Sequence, residues 1–122
     1  MLYKLGKLPK KKDSRNLKLS RYLKTSLNIP LSCNWYSKIE NIGMMLNDNI
    51  GDCTCATMGH MIQSWTVNDG VQINIPDYEI LEVYKNISGY TGTPDTDNGA
   101  IVLDALKYWK NLGWGIEKLE LT

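Results

Sequence analysis

The stretch LNDNIGDCTCATMGHMIQSWT, residues 46–66, decides the fold expected for this 122-residue chain. Directly after Gly51 and Asp52, apolar residues begin to recur at the spacing of one helix face. This pattern predicts a helix from Cys53 to about Asn68, with Asp52 as its N-cap. The periodic positions are Ala56, Met58, Met61, Ile62 and Trp65.

Two further helices are predicted on the C-terminal side of this stretch. The segment after Pro76 has a one-faced apolar pattern from Asp77 to about Ile87, and another runs from Ala100 to Leu112 with Gly113 as its C-terminal cap. Residues 88–99 are rich in turn-forming residues and are expected to form a loop. The predicted fold class is therefore mainly α, with three helices and little strand.

The remaining segments give weaker signals. Residues 1–28 are expected to form an extended basic arm with a helical turn near Leu17–Lys24, and residues 29–122 to form the folded part. A short strand is predicted around Ser32–Tyr36 within an otherwise irregular stretch, 31–50. The alternation of apolar and charged residues at 116–121 predicts a second strand, which would need a partner.

Composition and charge restrict the classes of function. The chain is 43% hydrophobic and 22% charged, without an apolar run of membrane-spanning length or the apolar core of a signal peptide. Three cysteines do not suggest a disulfide framework. Residues 1–24 contain nine Lys or Arg and a single Asp, whereas the rest is acidic. Such an arm can bind nucleic acid, an acidic partner or its own body. Nucleic acid is disfavoured because only Tyr3 and Tyr22 could stack on bases.

Cys53 is the candidate for reactive chemistry. A thiolate at the start of a helix faces unpaired backbone N–H groups and the positive end of the helix dipole, which lower a thiol pKa. Gly51 would leave the approach to the sulfur clear of a side chain. Asn47 and, as an alternative, Asn49 carry amide donors that a loop could direct towards an oxyanion. The opposing interpretation is that Cys53 is a small buried apolar residue.

Two segments resemble papain-like cysteine peptidases. In IPLSCNWYSKIENIGMMLNDNIGDCTCAT, residues 29–57, Pro30 and Trp35 match the family's first element, although Cys33 and Asn34 replace its usual Val and Asp. Gly51-Asp52-Cys53 matches the Gly-x-Cys that opens the central helix. DTDNGAIVLDALKYWKNLGWG, residues 95–115, resembles a later segment of the family. The chain as a whole is most similar to small papain-like proteins of bacteriophages and prophages.

The resemblance implies a fold, a site and a setting. The chain would be the helical half of a papain-like α+β fold, with Cys53 at the nucleophile position and Asn47 in place of the oxyanion glutamine. The family's catalytic histidine comes from a β-rich second half that this sequence does not contain. We therefore expect a cysteine peptidase-like protein that is incomplete as given, in a phage particle or the bacterial cytoplasm. The alternative is a structural virion component, and both interpretations expect a protein partner, with a peptide as possible substrate.

Neither His60 nor the cysteine pair offers a second site. His60 lies seven residues after Cys53, so about 10 Å along the helix axis, which is too far for a hydrogen bond to the thiol. We expect a packed or hydrogen-bonded histidine. Cys53 and Cys55 are two residues apart and point to different helix faces, which argues against a shared metal ion. The Asp95 and Asp97 carboxylates are expected in a helix-capping loop. No cofactor is predicted.

Overall fold

The computed structural model describes residues 5–24 and 26–114, and this part of the chain is mainly helical. Helix α1 spans Cys53–Asp69, α2 spans Asp77–Ser88 and α3 spans Val102–Leu112. The three predicted helices are confirmed, and α3 begins two residues later than expected. No sheet forms in the described residues; the arm and the body share one isolated parallel bridge, between Lys7 and Ala100. Of the described helices, none has the length and apolar character needed to cross a membrane.

The three helices pack around a single small core. Each contributes fully or nearly fully buried side chains, among them Cys55 from α1, Ile80 from α2 and Ala105 from α3. Burial of an aliphatic or aromatic side chain of this kind contributes about 1.5–3 kcal/mol. Trp65 of α1 stacks on Trp109 of α3 with ring centroids 5.7 Å apart, which joins the first and last helices. Trp109 is buried and belongs to the core.

The ends of α2 follow from local sequence. Pro76 has an extended backbone and precedes the first helical residue, where a missing N–H has no cost. Asp77 and Glu79 place negative charge in the first turn, close to the positive end of the helix dipole. Gly89 caps the C-terminal end of the helix: its φ of 76° lies in the left-handed region, and its N–H donates to the Lys85 carbonyl.

The strand predicted at Ser32–Tyr36 is wrong. These residues are exposed; Ser32, Cys33 and Asn34 are irregular, and Trp35 and Tyr36 form a bend. The neighbouring chain is held by side-chain amides: Asn68 Nδ2 donates to the Trp35 carbonyl at 2.9 Å, and Gln72 bonds to both the N–H and the carbonyl of Glu40. Side chains here satisfy backbone groups that a partner strand would otherwise pair, so the β-prone residues have no ladder to join. The rest of 31–50 is irregular, as predicted.

The basic arm is docked on the body over its first described residues. Leu8 N–H donates to the Ala100 carbonyl at 3.0 Å, and Ala100 N–H donates to the Gly6 carbonyl at 2.7 Å. Lys11 pairs with Asp104 at 3.3 Å and Lys107 with Asp13 at 3.6 Å. The predicted helical turn is a 3₁₀ turn at Leu19–Arg21. Of the interpretations left open for the arm, self-docking therefore holds for residues 6–13.

Glycines make this docking possible. A Cβ on Gly6 would collide with the Gly51 backbone, and a Cβ on Gly99 would collide with the Gly6 backbone. The arm thus crosses the body where three backbones meet without side chains between them. The strand predicted at 116–121, and Tyr3 with its possible stacking role, lie outside the described residues.

Candidate functional site

Cys53 is the first residue of α1 and is half-buried. Its carbonyl accepts a hydrogen bond from the Thr57 hydroxyl at 2.7 Å. Cys55, two residues on, is completely buried, and burial raises the pKa of its thiol to about 12. Within the Cys-x-Cys pair, therefore, only the Cys53 sulfur belongs to a residue that reaches the surface. Cys33 is exposed in the irregular segment before the helices.

Asp52 occupies the N-cap position but does not act as a hydrogen-bonding cap. Its side chain makes no bond to the first turn, and both carboxylate oxygens are buried without a hydrogen-bond partner. The predicted N-cap position of Asp52 is confirmed, although its side chain forms no capping hydrogen bond. Burial raises the pKa of Asp52 to about 7, and the negative charges of Asp97, Asp77 and Asp48 add to the rise. The Asp52 carboxyl group, next to Cys53 in sequence, is therefore buried in surroundings that disfavour its ionised form.

A second buried carboxylate, Asp97, organises the loop that precedes Cys53. It accepts from Gly51 N–H at 3.0 and 3.1 Å through its two oxygens, and from the Tyr84 hydroxyl at 2.6 Å. The Tyr84 oxygen in turn accepts from Gly99 N–H at 3.0 Å. This buried network ties the start of α1 to α2 and to the loop before α3, and it raises the pKa of Tyr84, chiefly through burial.

This network corrects two sequence interpretations. Asp97 was expected in a helix-capping loop, but α3 has no side-chain capping bond, and the Asp97 carboxylate is buried and bonds to Gly51 and Tyr84 instead. Gly51 does not clear a path to the sulfur: a Cβ there would lie 3.1 Å from Asp97 Oδ1 and 3.3 Å from Gly6 Cα. The glycine is required because the carboxylate and the arm both approach its backbone. Neither Asp97 nor Tyr84 was predicted as a site residue, and the turn-rich sequence DTDNG gives no local sign of burial.

The two candidate oxyanion amides lie in the loop before α1. Asn47 is half-buried and its N–H donates to the Met44 carbonyl at 3.0 Å, whereas Asn49 is exposed and its Nδ2 donates to Asp48 Oδ1 at 3.0 Å. Among residues 5–24 and 26–114, no hydrogen bond joins either amide to Cys53. Met45 and Leu46 have positive φ values of 50° and 69°, so this loop turns sharply just before Asn47. The oxyanion role of both residues stays a prediction.

His60, the only histidine of the chain, is used elsewhere. Its Nε2 lies 3.2 Å from the Gly43 carbonyl oxygen, which links α1 to the preceding irregular segment. This agrees with the prediction of a hydrogen-bonded helix histidine. Within the described residues, Cys53 therefore has no imidazole partner.

Metal ligands do not converge in the described part of the chain. No group of three His, Cys, Asp or Glu side chains in these residues is arranged to hold an ion. The nearest acidic group in sequence is Asp52, and Asp97 bonds to Gly51, two residues before Cys53.

Comparisons with protein-family models, curated proteins and solved structures found no match to this chain. The papain-like resemblance therefore rests on the motifs of the sequence itself.

Proposed function

We propose that this chain is a papain-like, cysteine peptidase-like protein of bacteriophage or prophage origin that is catalytically incomplete by itself. The observation that carries the proposal is the position of Cys53. Its sulfur belongs to a half-buried residue at the first position of the longest helix, while its neighbour Cys55 is sealed in the core. A helix start supplies free N–H groups and positive potential, which stabilise a thiolate and an oxyanion.

The missing component is a base that takes the thiol proton. Acyl transfer by cysteine requires a group within hydrogen-bond reach of the sulfur, held in orientation by a third group. His60 cannot serve because it is committed to Gly43. Asp52 is adjacent in sequence, but its carboxylate is buried and forms no hydrogen bond to the thiol. Under the proposal a partner polypeptide supplies the imidazole, and the substrate is a peptide.

The test is peptide hydrolysis with and without a substitute base. Purified wild-type chain and Cys53→Ala are incubated with a casein-derived fluorogenic peptide mixture and, separately, with p-nitrophenyl acetate, in the presence and absence of free imidazole. We expect no peptide cleavage by the chain alone. We also expect acetylation of Cys53, seen by intact mass and peptide mapping, that imidazole accelerates because it replaces the absent base.

Cys55→Ala and Cys33→Ala are the matched controls and should acetylate at position 53 as wild type does. Peptide cleavage by the isolated chain that disappears in Cys53→Ala would show that the chain is catalytically complete. Acetylation that spares Cys53 while modifying Cys33 would contradict the assignment of the nucleophile position.

A structural role in an assembly is the second candidate, and one observation favours it. The irregular segment before α1 exposes large apolar side chains that have no cover: Ile29 is 84% exposed, Leu31 108% and Trp35 63%. Contiguous exposed apolar side chains are typical of surfaces that contact another protein. In this role Cys53 would be a relic of peptidase ancestry and the apolar segment would be the contact with other virion proteins.

A further inference from the structure

An open groove with a volume of about 320 Å³ lies between the docked arm and the first turns of α3. Its apolar walls are Leu8 from the arm and Val102, Leu103 and Leu106 from α3. Leu8 is 36% exposed, Val102 38% and Leu106 46%. The apolar side chains of the groove walls are therefore partly accessible to solvent. The volume lies at the small end of the range of about 300–1,000 Å³ typical of ligand pockets.

Lysines border this apolar surface. Lys7, Lys10 and Lys11 all line the groove, and all three are exposed. Lys11 is engaged with Asp104 at 3.3 Å. Lys7 and Lys10 form no ion pair within residues 5–24 and 26–114, although the body carries most of the chain's acidic residues. The groove therefore combines apolar walls with two lysine ammonium groups that form no ion pair in the described part of the chain.

We propose that this groove, lined by the arm and α3, binds an acidic peptide segment of a partner protein in which carboxylates flank leucine-like side chains. The leucine-like side chains occupy the space between Leu8 and the α3 residues, and the carboxylates pair with Lys7 and Lys10. Lys7 and Lys10 place two separate cationic groups beside the apolar walls, which suits successive carboxylates of a peptide. Complementary charge at the rim also speeds association.

This binding surface is separate from the proposed acyl-transfer site. Neither Cys53 nor Asp97 lines the groove. The inference does not rest on the proposed function, and a Cys53→Ala chain should bind the peptide as wild type does.

The test is fluorescence anisotropy with a fluorescein-labelled peptide of sequence Gly-Leu-Glu-Leu-Glu-Leu-Glu-Gly, titrated with the full chain at moderate salt. Lys7→Glu combined with Lys10→Glu should raise Kd at least about tenfold, a change of about 1.4 kcal/mol. The matched control, Lys18→Glu combined with Lys24→Glu, makes the same change of charge at arm residues that do not line the groove, and should alter Kd by less than about threefold. All four lysines are exposed, so these variants retain the fold.

A second pair of variants isolates the apolar contribution. Leu106→Ala should weaken binding, whereas Leu112→Ala, on the same helix but outside the groove lining and 65% exposed, should not. Several results would overturn the proposal. Equal weakening by both lysine pairs, or equal affinity for a peptide with serine in place of leucine, would show non-specific attraction to the arm. Displacement by decanoate or by a short RNA at concentrations comparable to the unlabelled peptide would show an anionic amphiphile site or a polyanion surface instead.

Discussion

At the scale of single residues, two neighbouring carboxylates have opposite effects on the folded state. Asp97 accepts hydrogen bonds from Gly51 N–H and the Tyr84 hydroxyl, whereas both oxygens of the buried Asp52 lack partners. A hydrogen-bonded buried carboxylate stabilises its surroundings, and an unpartnered one imposes a desolvation cost. Near the start of α1, the Asp97 carboxylate therefore stabilises the fold and the Asp52 carboxylate destabilises it. Proteins retain such a cost most often at functional sites.

Asp52→Asn should stabilise the chain at neutral and alkaline pH. The pKa of Asp52 is raised from 3.8 to about 7 in the folded state, chiefly by burial. Below pH 4 the group is protonated in both states. As pH rises from about 4 to 7, the unfolded chain releases the proton first, so stability falls. The full cost, at most about 4 kcal/mol, is present above pH 7. In Asp52→Asn this fall should be absent from urea unfolding curves measured between pH 4 and 8.

The matched control is Asp97→Asn, which changes the same functional group in the same buried region. The amide cannot accept with its nitrogen, so the bonds from Gly51 and Tyr84 weaken, and unfolding free energy should drop by about 1–3 kcal/mol. If Asp52→Asn were also destabilising at pH 8, the conclusion that the Asp52 carboxylate lacks a partner would be wrong.

At the scale of elements, the helices could be predicted from local pattern and the arm could not. The apolar spacing of the three helices, together with Gly113 after α3, predicted their ends within one or two residues. The Asp97 network depends on residues 13 and 46 positions apart, so no local window contains it. The strand predicted at 32–36 failed because its β-prone residues met side-chain amides rather than a neighbouring strand.

Arm docking should depend on Gly99. Its φ is 81° and a Cβ there would collide with the Gly6 backbone, so Gly99→Ala should both strain the loop and displace the arm. We expect loss of at least about 2 kcal/mol of stability and faster hydrogen exchange at the Leu8 and Ala100 amides, whose bonds hold the arm.

Gly89→Ala is the control because Gly89 has a similar φ, 76°, and open space around its Cβ position. It should cost about 1 kcal/mol through backbone strain alone and leave exchange at Leu8 unchanged. Equal exchange rates at Leu8 in both variants would show that Gly99 does not hold the arm.

At the scale of the whole molecule, the chain combines a small closed core with an uncovered apolar segment. The core consists of side chains from α1, α2 and α3 and from the segments beside them, such as Met45 and Ile75, whereas Ile29 and Leu31 are exposed and do not belong to it. The positions of Cys53 and of the helices could be predicted from sequence because both follow from local pattern. The exposure of segment 27–36 could not be predicted. Apolar residues in a sequence indicate burial, but they do not show whether they are buried within the chain or against a partner.

Ile29→Asp combined with Leu31→Asp should leave the stability of the isolated chain within about 0.5 kcal/mol of wild type, because both side chains are exposed. The same substitutions should abolish concentration-dependent association measured by sedimentation velocity. A wild-type chain that stays monomeric at high micromolar concentration would contradict a contact role for this segment.

The central claim is that the start of α1 presents Cys53, and not Cys55, to reagents and to substrate. The direct measurement is time-resolved alkylation of the folded chain with iodoacetamide, resolved by peptide mapping for each cysteine. We expect Cys53 and the exposed Cys33 to be modified under native conditions, and Cys55 to be modified only after unfolding in urea. Modification of Cys55 at the rate of Cys53, or protection of Cys53 until the chain unfolds, would contradict it.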